Sequence, residues 1–120
     1  MANLKDLLGI NGVVGAARWT VPDVSPGGHP PELLECVGAV QGDDATAAMA
    51  FLEADGITAI AQSYLWDKLG HSTITMSPVQ GVAIMGATHT FCATNNRVGA
   101  CLENEAEVDM FALAKKMMEI

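Results

Sequence analysis

The sequence predicts an α+β protein, and three observations predict it. The run from Asp43 to Leu69 is alanine-rich, has no proline and has a single glycine, Gly56, so it reads as one long helix. Two short apolar stretches precede it, and three more follow closely after Gly81. Short segments with helix-capping residues stand at both ends. The order is therefore helix, two strands, long helix, three strands, helix.

Each element has a local reason. Asn3 caps a short helix over Leu4 to Leu8, with Asp6 as its capping-box partner and Gly9 as its stop. Val13 to Thr20 is apolar and ends in strand-favouring residues. Val21 to Pro31 carries four prolines and two glycines and reads as a loop. Glu32 to Val40 is a second strand, broken by Gly42, and Asp43-Asp44 supply the cap of the long helix. Gly70-His71 ends that helix, and Ser72 to Pro78 is extended and irregular. Strands follow at Val82–Met85, Thr88–Thr94 and Arg97–Glu103. Asn104 starts the last helix with Glu107 at the capping-box position, and Val108, Phe111, Ala112 and Met118 form its apolar face.

The totals exclude several classes. The 120 residues make one domain, 1–120, long enough to fold around its own core. Half the residues are apolar, which excludes a disordered chain. There is no signal-peptide pattern and no apolar run that spans a bilayer, so the expected location is the cytoplasm, where the three cysteines stay reduced. Acidic residues outnumber basic ones 14 to 6, for a net charge of −8, and this repels nucleic acid. No nucleotide-binding loop, nucleophile elbow or zinc-protease motif is present, and His29, His71, His89 and the cysteines show no metal spacing. The expectation is no enzyme, no cofactor and no metal.

Cys92 and Cys101 flank Asn95-Asn96-Arg97. A two-residue turn at Asn95-Asn96 pairs Thr94 with Arg97, Ala93 with Val98, Cys92 with Gly99 and Phe91 with Ala100. This register gathers Phe91, Ala93, Val98, Ala100 and Leu102 on one apolar face, whereas a three-residue loop scatters them over both. The two cysteines then share the other face as diagonal neighbours, roughly 7–8 Å apart, too far for a disulfide. They read as small residues that let a helix approach the sheet.

The long helix carries two apolar stripes. One holds Ala45, Met49, Leu52, Gly56, Ala59, Ile60 and Ser63; the opposite one holds Ala47, Phe51, Ala54, Thr58, Ala61 and Leu65. A surface helix needs one such stripe. In a chain this short the sheet covers one side, so a second subunit is expected on the other. Gly56 mid-helix suggests close backbone approach, which assigns its stripe to the homodimer contact and leaves Phe51 and Leu65 to face the sheet.

Leu4 to Val14 (LKDLLGINGVV), Ser77 to Ala83 (SPVQGVA) and Asn95 to Gly99 (NNRVG), set in this element order, resemble the roadblock/LC7 family over nearly the whole chain. The match looks closest to a prokaryotic branch. The loop Val21 to Pro31 departs from the family's short turn. The resemblance implies a profilin-like, three-layer α/β/α fold: a five-stranded antiparallel sheet with one helix on one face and two on the other. It also implies dimerisation through the central helix and an edge strand, and a non-catalytic scaffold that regulates a small GTPase or anchors a larger complex. Alternatives are an accessory protein of a sulfur-oxidation or redox complex, and a profilin-like sensor with a small-ligand pocket between sheet and helix.

Overall fold

The computed structural model describes residues 2–70 and 73–120. A short 3-10 helix, Leu4–Gly9, opens the chain. Strands β1 (Val13–Trp19) and β2 (Leu33–Gly38) follow, then helix α1 (Gly42–Lys68), strands β3 (Gly81–Met85), β4 (His89–Thr94) and β5 (Val98–Glu103), and helix α2 (Met110–Met118). The five strands form one antiparallel sheet in the order β2-β1-β5-β4-β3. Helix α1 lies on one face; the 3-10 helix and α2 lie on the other. This is the expected three-layer α+β architecture.

Small residues set the spacing of the layers. On the α2 side, one row across the sheet reads Val37, Ala16, Ala100, Cys92, Ala83. On the α1 side, a row reads Cys36, Ala17, Gly99, Ala93, Val82. Short side chains let helices approach and exclude water from both faces. The 3-10 helix inserts Leu4 and Leu7, and α2 inserts Leu113 and Met117, all almost fully buried. Over Gly99 lies the Trp19 indole, so close that a Cβ there would stand 2.8 Å from its ring.

The β4–β5 hairpin departs from the expected register by one residue. Cys92 pairs with Ala100 and Phe91 with Cys101, across a three-residue loop. Arg97 closes that loop with φ 61°, its N–H donating to Thr94 O at 2.9 Å. Cys92 therefore joins Val98, Ala100 and Leu102 beneath α2, while Cys101 joins Ala93 beneath α1. Alternation could not choose between these registers, because helices cover both faces of the two strands and both faces are apolar. The loop's own side chains decide: Asn95 Nδ2 donates to Val79 O, and Asn96 Nδ2 donates to Met117 O at 2.8 Å.

Three further expectations are corrected or fall elsewhere. The last helix begins at Met110, not Asn104; Asp109 caps it, accepting from Phe111 N and Ala112 N. Asn104 is instead committed to the β3–β4 turn, donating to Gly86 O at 2.8 Å and accepting from Thr90 Oγ1 at 2.6 Å. The buried face of α2 is Leu113 and Met117, with Phe111, Ala112 and Met118 exposed. The helix stop expected at Gly70-His71 falls partly on His71, which lies outside the described residues.

Candidate interaction surface

Helix α1 is apolar on two opposite sides, with Asp44, Asp55 and Gln62 on one flank and Glu53 on the other, and the two stripes read from its sequence are the two sides it presents. Their assignment is the reverse of the expected one. Ala45 and Leu52 are buried against the chain's own sheet, Ser63 is buried with its Oγ accepting from Ser77 Oγ at 3.0 Å, Met49, Gly56 and Ala59 are half-buried on the same side, and Ile60 stands at its exposed margin. That stripe is thus taken up within the protomer. Ala47, Phe51, Ala54, Thr58, Ala61 and Leu65 all face outward. The reason is the sheet beneath: Trp19 and Phe91 already fill the interlayer space, so the helix must offer small residues there. Close backbone approach does not account for Gly56, since a Cβ placed on it meets nothing within 4 Å.

The outward face is unusual for water. Phe51, Ile57, Tyr64 and Leu65 are each about two-thirds exposed, and no charged side chain interrupts the arc they share with Ala47, Ala54 and Ala61. An apolar arc on the side of a helix away from its own sheet is normally covered. Alongside it lies the outer edge of β3. Residues Gly81–Met85 pair with β4 on one side and, among the described residues, with no strand on the other. Ile84 and Met85 are exposed there.

One polar cluster fastens α1 to the hairpin. Glu53 Oε1 accepts from Trp19 Nε1 at 2.7 Å and from Arg97 Nε at 2.7 Å. Arg97 Nη1 also donates to Asn95 O at 2.9 Å. These residues come from distant parts of the chain, and no spacing in the sequence announces the contact. Glu53 and Asp55 are the charges in the middle of the helix, and nothing in the sequence says which of them meets Arg97. Around the cluster, between α1 and the sheet, lies a cavity of about 70 Å³. Ligand sites usually span about 300–1,000 Å³, so this space suits water rather than a small ligand.

The cysteines are all free. Burial pushes the Cys92 thiol up to about 11, with smaller opposing and reinforcing effects from the Ala100 backbone and Cys101. Burial, then the Asp44 carboxylate, also raises Cys101. Both are poor thiolates at neutral pH, and the sheet separates them. Among the described residues, no group of three or more His, Cys, Asp or Glu could hold a metal ion. No helix among them is long and apolar enough to cross a membrane. Comparison with protein-family models, with curated proteins and with solved structures gives no significant match.

Proposed function

We propose that the protein is a non-catalytic homodimeric interaction module of the roadblock type. The observation that carries this reading is the uncharged outer face of α1 lying beside the unpaired edge of β3. An isologous two-fold brings identical surfaces together, and an antiparallel edge strand pairs naturally with its own copy. Centred on Ala83, such pairing joins Gly81 to the partner's Met85, extends the sheet across both protomers and stacks the two α1 faces. Phe51, Ile57, Tyr64, Leu65 and their neighbours offer roughly 600–800 Å² of apolar surface, which matches the per-partner area of a standard interface.

The strand order, with β5 central between β1 and β4, and one long helix alone on its face support the roadblock reading. The functions it brings are control of a small GTPase or anchoring of a larger assembly. The acidic balance favours a protein partner over nucleic acid. Three free thiols fit a reducing compartment, and we place the protein in the cytoplasm. The raised thiols of Cys92 and Cys101, on opposite faces of the sheet, count against their use in a redox accessory, and the cavity around Glu53 is too small to serve as a sensor pocket between α1 and the sheet.

Sedimentation velocity of the wild type and of Ile57→Glu/Leu65→Glu tests the reading. The wild type is expected to be a dimer and the variant a folded monomer, because each copy would bury two unpaired charges. A wild type that stays monomeric at the highest soluble concentration overturns the proposal, and so does a variant that remains dimeric.

A further inference from the structure

The outer stripe of α1 is complementary to itself when reversed. Counted from Gly56, Ala47 and Leu65 stand nine residues away on either side, Phe51 and Ala61 five, and Ala54 and Thr58 two. All six are exposed. Each bulky side chain therefore has an alanine at the reversed position, and the middle of the stripe is small. Thr58 Oγ1 donates to Ala54 O at 3.3 Å, so the one hydroxyl there is satisfied within its own helix and a partner meets only the methyl.

The charges follow the same rule. Asp43 and Asp44 occupy the first turn of α1 and Lys68 the last. Asp44 and Lys68 each stand twelve residues from Gly56. None of these three forms an ion pair among the described residues. Asp67, beside Lys68, lies about 200° round the helix from Leu65 and so points away from the stripe.

From this self-complementarity we infer that two α1 helices pack antiparallel about a two-fold axis beside Gly56, in a register that selects a second copy of this chain over other apolar helices. Phe51 seats over the partner's Ala61, Leu65 over the partner's Ala47, and Lys68 comes near the partner's Asp43 and Asp44. The two-fold repeats each contact. Large side chains set against small ones interlock, whereas large against large overpacks. Other registers lose this match. An axis at Thr58 sets Phe51 against the partner's Leu65, and an axis at Ala54 sets Leu65 against the partner's Asp43. A parallel pair would set Phe51 on Phe51 and Lys68 on Lys68. The edge strand fits the same axis: Gly56 lines one cavity with Gly81 and Val82, so a two-fold beside Gly56 passes close to the middle of β3. The inference rests on the reading of α1's outer face as the dimer contact, and adds the register and the residues that make the contact homotypic.

The test is sedimentation velocity of variants that exchange knob and hole. Phe51→Ala empties the seat over Ala61, and Ala61→Phe sets two phenylalanines against each other. Each is expected to weaken the dimer by about thirtyfold. Phe51→Ala/Ala61→Phe puts each new phenylalanine opposite a new alanine, and is expected to return the dimer to within about threefold of the wild type. Both positions are exposed in the protomer, so its own melting should barely change. Charge exchange gives a second arm. Lys68→Glu alone and Asp43→Lys/Asp44→Lys alone set like charges together at both ends, and each is expected to weaken self-association by about fivefold at low salt. Mixed in equal amounts, with one of them fluorescently labelled, these two variants should prefer each other, and the preference should fade at high salt. A knob-and-hole double variant no tighter than the weaker single variant overturns the inference, and so does a charge mixture without preference at low salt. If the wild type is then still a dimer that Ile57→Glu/Leu65→Glu dissociates, the proposed function stands with a different register. A monomeric wild type overturns both.

Discussion

Glu53 in the middle of α1 and Arg97 at the close of the β4–β5 loop meet at 2.7 Å, with side chains only 14% and 26% exposed. The contact pins helix to hairpin, and it holds Arg97 in the left-handed region at φ 61°. Two effects therefore act at one residue, and substitutions can separate them. Arg97→Ala loses the ion pair and keeps the strained backbone, at an expected cost of about 2–4 kcal/mol. Arg97→Gly loses the same ion pair and relieves the backbone, so it should be more stable than Arg97→Ala by about 1 kcal/mol. Urea unfolding of both variants measures the difference; an alanine variant as stable as the glycine one contradicts the loop geometry.

Gly56 offers a gain. It lies in a regular helix with open space where a Cβ would go. Gly56→Ala is expected to raise stability by about 0.5–1 kcal/mol, through helix propensity alone. A loss instead means that the backbone at Gly56 is approached by something outside the protomer.

Phe51 and Leu52 are adjacent and face opposite ways. Leu52→Ala should cost about 2–5 kcal/mol at any protein concentration, because it leaves a cavity under α1. Phe51→Ala should change the stability of the isolated protomer by less than about 0.5 kcal/mol. Its effect should instead appear as a weaker dependence of the melting temperature on concentration. Equal, concentration-independent losses for both substitutions contradict the outward placement of Phe51.

The raised Cys92 thiol makes stability fall in alkali. From its ordinary 9.0 the thiol moves to about 11 in the folded protein. Between those values the unfolded chain has released a proton that the native state still holds. Stability is therefore full below about pH 9 and declines as pH rises toward about 11. Thermal melts of the wild type and Cys92→Ala across this window check it: the alanine variant should fall less steeply. In the same window a thiol reagent should label half-exposed Cys36 first, with Cys92 and Cys101 following only on unfolding.

The fold was legible because its signals are local. The proline-rich loop, the alanine run and the three closely spaced strands each declare themselves, and α1 runs within a residue of its expected bounds. Two of the failures share one cause. Whatever depends on which of two apolar faces meets which neighbour cannot be read from apolarity. The hairpin register slipped because both sides of β4 and β5 are buried. The α1 stripes were exchanged because Trp19 and Phe91, which take up the space beneath the helix, belong to other segments. The start of α2 was missed because Asn104 caps nothing and instead bonds Gly86, a contact that exists only once β3 and β4 have paired.

Strand β1 lies beside β5 in the sheet, and the whole of β2, α1, β3 and β4 lies between them in the chain. During synthesis, the β1–β2 ribbon and the apolar helix α1 leave the ribosome well before the strand that completes their sheet. Until β5 emerges, the core beneath α1 lacks Cys101 and Gly99 for a floor, and Trp19 has no strand to lie on. Pairings between distant segments are slow to close. The nascent chain is thus obliged to wait with both apolar sides of its longest helix uncovered, and that interval is when a chaperone would find it.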